Sequence, residues 1–115
     1  MQTPVIFHHV TLNGIKYPKV ILHWYDITGS SGWADDTEFK QFRCAEVVTE
    51  GYVYEIYEEN NTKFVRTFSS YITDQEEISF GDRGCFPIGA LKPESRQILS
   101  MVELYLESQS TEEIK

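Results

Sequence analysis

Basic residues are scarce in this chain: Lys and Arg number 10 against 18 Asp and Glu, a formal net charge of −8 over 115 residues. Such a surface repels nucleic-acid phosphates and anionic lipid headgroups, which argues against direct binding to either. A basic protein partner stays open, as does imitation of a polyanion; the plainer role of the charge is solubility. Cysteine is limited to Cys44 and Cys85 with no Cys-x-x-Cys spacing, so neither a disulfide framework nor a zinc site is indicated. No apolar run approaches the roughly 20 residues that cross a bilayer. Met1-Gln-Thr-Pro4 lacks the basic and apolar parts of a secretion signal. The expectation is a soluble cytoplasmic protein with both thiols reduced. Internal repeats and low-complexity tracts are missing too.

What is present is enough for one folded domain with a modest core: 41% hydrophobic and 14% aromatic residues, including seven Tyr and seven Phe. Val5–Leu12 and Ile15–Ile27 are β-rich runs around Asn13-Gly14, the strongest short signal for a type I′ hairpin. Pro18 suggests an edge position or a bulge. Beyond it Val20, Leu22 and Trp24 alternate with Ile21, His23 and Tyr25, the pattern of a strand apolar on both faces. Gly29-Ser-Ser-Gly32 breaks the strand. Asp35, Asp36 or Thr37 then caps a short helix to about Phe42, with Phe39 and Phe42 expected on its inner face. Cys44–Tyr57 reads as a strand whose Gly51 marks a bulge or bend, Glu58-Glu-Asn-Asn61 as an acidic turn, and Thr62–Tyr71 as the returning strand. Asp74–Glu77 is a loop between Tyr71 and the short strand pieces Ile78–Phe80 and Cys85–Ile88. From Pro93 the period becomes helical: Ile98, Val102 and Tyr105 form a stripe beside Leu99, Met101, Leu104 and Leu106. The expected architecture is mainly β (α+β), a small antiparallel barrel over residues 1–92 that includes an N-terminal hairpin extension and a short inserted helix. A C-terminal amphipathic helix over 93–108 packs on the barrel or on a partner, and 109–115 is expected to be a disordered tail.

Trp24-Tyr-Asp26, Gly32-Trp33, Cys44 with Gly51-Tyr52, Glu58-Glu59 and Phe86-Pro-Ile-Gly-Ala-Leu91 resemble, in that order, small phage and prophage proteins of unknown function with an SH3-like β-barrel. The resemblance covers about Val20 to Leu91. In this chain Cys44 stands further before Gly51 than in that group, and Ile88 follows Pro87 where a basic residue is common there. The resemblance implies an SH3-like barrel and a phage origin, with the hairpin before Val20 and the helix after Pro93 as additions. It implies no activity.

Catalytic and metal chemistry find little support in the residues. His8 and His9 are adjacent and would point to opposite faces of a strand; His23 could meet one of them across the hairpin, but no third ligand is evident. Asp26 is expected to fasten its turn by accepting backbone N–H bonds, and Asp35 and Asp36 to cap the helix, rather than to join Glu38 in acid–base work. Cys44, Ser30 and Ser31 lack a nucleophile motif, and Gly81-Asp-Arg-Gly84 is too short for a phosphate loop. No enzyme, metal or cofactor is expected. The functional lead is aromatic: Trp33, Tyr25, Tyr54 and Tyr57, with Glu58 and Glu59, form a candidate interaction surface of the kind SH3-like barrels use for peptides. Trp33 alternatively lids the barrel end. Ile98, Val102 and Tyr105 fold onto the barrel or join copies into a homo-oligomer. The expected role is a small binding protein that modulates or inhibits a host protein, a defence or nucleic-acid-handling factor, by protein–protein contact. One alternative is an oligomer that sequesters a small molecule or nucleotide, with Lys40, Arg43, Arg66 and Arg83 as its cations. Another is a structural component of the virion.

Overall fold

The structure, a computed structural model, describes residues 7–114, with side chains through Gln109. Two tight turns set its first hairpins. Asn13 and Gly14 take φ of 51° and 78°, the left-handed values of a type I′ turn. Around them β1 (His9–Leu12) pairs antiparallel with β2 (Ile15–Asp26). Asn60 and Asn61 repeat the device with φ of 51° and 61° and join β3 (Ala45–Glu59) to β4 (Thr62–Phe68). Asn tolerates this region because its short amide can bond locally. The acidic pair Glu58-Glu59 therefore ends a strand, and the turn itself is the two asparagines. Val5 and Ile6, expected to begin the first strand, lie outside the described residues.

The main sheet has five strands in the order β1-β2-β3-β4-β7, where β7 is Gly84–Pro87. The short strands β5 (Ser70–Ile72) and β6 (Ser79–Gly81) form a separate two-stranded sheet. Neither sheet closes, and β1 and β7 are the edges of the larger one. The expected mainly β, antiparallel architecture with a C-terminal helix is present, and its sheet is open among the described residues. The break falls between β4/β7 and β5/β6, where Ser69 and Asp82-Arg83 leave the ladder and Asp82 takes φ of 50°. That kink turns the outer half of the hairpin aside instead of letting it continue around a barrel.

A second irregularity keeps the core on one face. Val53 pairs with Thr67 and Ile56 with Val65, although Val53 and Ile56 are three residues apart. In a regular strand they would face opposite ways. A bulge between Val53 and Glu55 absorbs the extra residue, and both side chains reach the same core. Gly51, the expected bulge site, instead pairs regularly with Val20. Its role is close approach, since a Cβ there would stand 2.8 Å from the Phe68 carbonyl oxygen.

On that face lies α2 (Pro93–Ile114), with Pro93 at its first position, where a missing N–H costs nothing. Leu99 and Val102 pack among Leu22, Val53, Val65, Phe86 and Leu91, all buried. Its first turn also seals the stretch of β2 that β1 does not reach. The buried Ser95 Oγ accepts from the His23 amide at 2.8 Å, and Lys92 N–H donates to the His23 carbonyl at 2.8 Å. An edge covered in this way cannot recruit a foreign strand. Ile98, Val102 and Tyr105 are spent here: Val102 and Tyr105 are buried and Ile98 packs on the same cluster. The helix backbone runs on to Ile114, and no Gly or Pro follows Pro93 to stop it. Lys115 lies outside the described residues.

Replacing Leu99, 1% exposed, by Ala is expected to lower stability in urea by about 2–5 kcal/mol. Leu104→Ala, at a side chain 59% exposed, is expected to change it by less than about 0.5 kcal/mol. Equal costs would contradict the docking of α2 described above.

Candidate functional site

Between β2 and β3 the chain makes an excursion from Ile27 to Cys44 in which every residue is exposed. Its only regular element is α1 (Asp36–Lys40), whose N-cap Asp35 accepts from the Glu38 amide at 2.8 Å. Asp36 and Glu38 in the first turn and Lys40 in the last agree with the helix dipole. The apolar side chains of this arm find no core. Ile27 is 86% exposed, Trp33 100% and Phe39 67%; Phe39 and Phe42 touch chiefly each other, ring centroids 6.5 Å apart. The inner face expected for α1 does not exist, and Trp33 lids nothing. The chain is correspondingly extended, with a radius of gyration of 17.6 Å against about 13 Å for a compact chain of this length. Asp26, expected to fasten the turn, ends β2 opposite Ala45, and its carboxylate accepts no hydrogen bond among the described residues.

A different surface opens on the sheet face away from α2. There Leu12, Tyr17 and Phe68 form a second buried cluster, with Tyr52, Ile78 and Phe80 against it. Tyr54 is the extra residue of the β3 bulge. It stacks on Tyr17 (centroids 5.7 Å, planes 7° apart) and meets Phe80 edge-on at 5.1 Å. Beside these rings lies a cleft of about 700 Å³, walled by Tyr54, Phe68 and Phe80, by Arg66 from β4, and by Gly81 through Cys85. Arg66 is committed: it forms an ion pair with Glu55, its cross-strand neighbour, and its guanidinium sits 4.1 Å from the centre of the Tyr57 ring. The Asp82 carboxylate accepts from the Ser70 hydroxyl. Arg83 has no hydrogen-bond or ion-pair partner among the described residues.

The candidate residues therefore do not form one patch. Tyr25, 40% exposed, sits opposite Glu46 near the root of the arm. Tyr54 and Tyr57 lie further along β3, roughly 25 and 35 Å away at the rise of an extended strand. Glu58 and Glu59 end that strand at the Asn60-Asn61 turn. Tyr57 stacks on Phe64 at 5.2 Å, and its hydroxyl lies 3.5 Å from the Cys85 sulfur. Of the four cations, Lys40 and Arg43 belong to the arm, whereas Arg66 and Arg83 share the cleft. Asp82, Phe80 and Cys85 were missed because only the break between β6 and β7 brings them to Tyr54. Among the described residues no three His, Cys, Asp or Glu side chains gather as a metal site, and no helix is long and apolar enough to cross a membrane. No protein-family model matches the chain, and no curated protein or solved structure matches it either.

The surface ion pairs carry a pH signature. Hydrogen bonds to Glu50, Glu103 and Glu46 raise Lys19, Lys63 and Lys92 above the ordinary lysine range. The contact with Cys85 raises the Tyr57 phenol, and burial followed by the neighbouring Tyr54 raises Tyr17. Each group holds its proton more tightly folded than unfolded. Their contribution is thus complete below the ordinary titration range, about pH 10, and is lost as pH rises through the folded values. The thermal midpoint is expected to fall on raising the pH from about 9 to about 11, and an unchanged midpoint would refute these linkages.

The two tryptophans should separate in fluorescence. Trp24 donates to Thr49 Oγ1 at 2.9 Å and packs 4.7 Å from Phe86, whereas Trp33 is bare. Trp33→Phe is expected to remove the red-shifted, acrylamide-quenchable part of the emission and leave a blue-shifted remainder.

Proposed function

We propose that the chain is a small phage-type binding protein that modulates or inhibits a host protein, and that the arm from Ile27 to Cys44 is its docking element. The observation that carries this reading is Trp33, fully exposed on a segment that buries none of its own apolar side chains. Irregular connections of this length within a compact domain are usually functional. Exposed aromatic anchors are the residues that dominate protein–protein binding energy when a partner pocket desolvates them. The likeness of Trp24-Tyr-Asp26, Gly32-Trp33 and the closing Phe86–Leu91 segment to phage proteins supports a host-cell target. The charge of −8 supports a basic rim around the apolar pocket that receives the indole.

Immobilised protein is expected to retain a stoichiometric partner from host-cell lysate at low salt and to release it as salt rises. Trp33→Ala is expected to lose that partner while keeping its thermal midpoint, because the side chain supports nothing in the fold. Equal retention by both forms, or none by the unaltered chain, would defeat the proposal.

A further inference from the structure

The cleft beside the β3 bulge is independent of the arm and has the makings of a small-molecule site. Its volume of about 700 Å³ lies within the roughly 300–1,000 Å³ of ligand pockets. One wall is aromatic: Tyr54, 41% exposed, and the half-buried Phe80 meet at 5.1 Å over the buried Phe68. These rings offer a surface on which a flat ligand can stack. The two arginines of the cleft meet at the break between β4/β7 and β5/β6: Arg66 stands on β4, and Arg83 in the link from β6 to β7. Their states differ. Arg66 is neutralised by Glu55 and held over Tyr57, so it adds shape more than charge. Arg83 is exposed and unpaired among the described residues, in a chain where acidic groups outnumber basic ones by 18 to 10. A guanidinium left without a carboxylate in such surroundings, beside an aromatic wall, suits a bidentate oxyanion.

We propose that this cleft binds a small aromatic anion, its ring against Tyr54 and Phe80 and its phosphate or carboxylate on Arg83. Asp82, turned into the same segment with its carboxylate fixed by Ser70, sets an upper limit on the ligand's charge. One oxyanion is matched by Arg83, while a polyphosphate would meet Asp82 with no further uncommitted cation among the cleft residues.

Phenyl phosphate and benzoate serve as probes in two-dimensional amide NMR of the full chain, with phenol and inorganic phosphate as controls. At least one probe is expected to give saturable shifts at Tyr54 and across Phe80–Cys85, with each control weaker by about tenfold or more. Arg83→Gln is expected to weaken the responding probe by about tenfold while the remaining amide spectrum and the thermal midpoint stay unchanged. Absence of saturable shifts with both probes would overturn the assignment. So would shifts centred on the arm or α2, or an Arg83→Gln variant that binds as the unaltered chain does.

Discussion

The one-residue bulge in β3 is the constraint on which the rest of the fold depends. Strand residues alternate faces with a period of two, and Val53 and Ile56 break that parity. Without the bulge, whichever of the two faced α2, the other would be turned to the opposite side. The core of Leu22, Val53, Val65, Leu99 and Val102 would then lose a wall along half the sheet. With it, the first half of β3 registers with β2, the second half with β4, and α2 lies across both. The cost is one residue, Tyr54, left between two registered segments and directed at the opposite face.

That displaced tyrosine links architecture to the second surface. Its ring completes the stack on Tyr17 and forms a wall of the cleft. The kink at Asp82 brings the other wall, because β5 and β6 depart as their own sheet. Both irregularities fall on the same part of the molecule, one from β3 and one from the β4–β7 hairpin. The arm depends on neither. It leaves β2 after Asp26 and rejoins at Ala45, adjacent ends of a paired ladder, so its length is not needed to connect the strands. A two-residue turn would have sufficed there, as it does at Asn13-Gly14 and Asn60-Asn61.

The open sheet also explains how its edges are managed. The β2 edge beyond β1 is closed by Leu91, Lys92 and Ser95. Ser95 is the informative case: its hydroxyl is fully buried yet bonded to a strand amide, so it replaces a ladder partner rather than being an orphan polar group. Salt bridges such as Lys63–Glu103, which joins β4 to α2 at 3.0 Å, are exposed and add orientation more than stability.

Local chemistry made much of this readable from sequence. Asn13-Gly14 dictated a turn because both residues accept positive φ, the run Asp35-Asp36-Thr37 announced a helix start because such side chains satisfy an orphan amide, the structure choosing Asp35, and Pro93 opened α2 because it has no N–H to lose. Ile98, Val102 and Tyr105 at helical spacing beside Leu99 announced an apolar stripe, and the tertiary structure seats it on the sheet. Three matters belonged to the tertiary structure alone. The position of the bulge depends on which residues of β3 and β4 share the core, so Gly51 was a misleading local sign. Closure of the sheet depends on the break at Asp82, which no single residue type signals. The bareness of Trp33, Phe39 and Ile27 depends on what else packs nearby, and spacing cannot report a missing neighbour. The residues decided where the chain turns and which stripe it buries; pairing over long separations decided which aromatic side chains were left for a partner and which for a cleft.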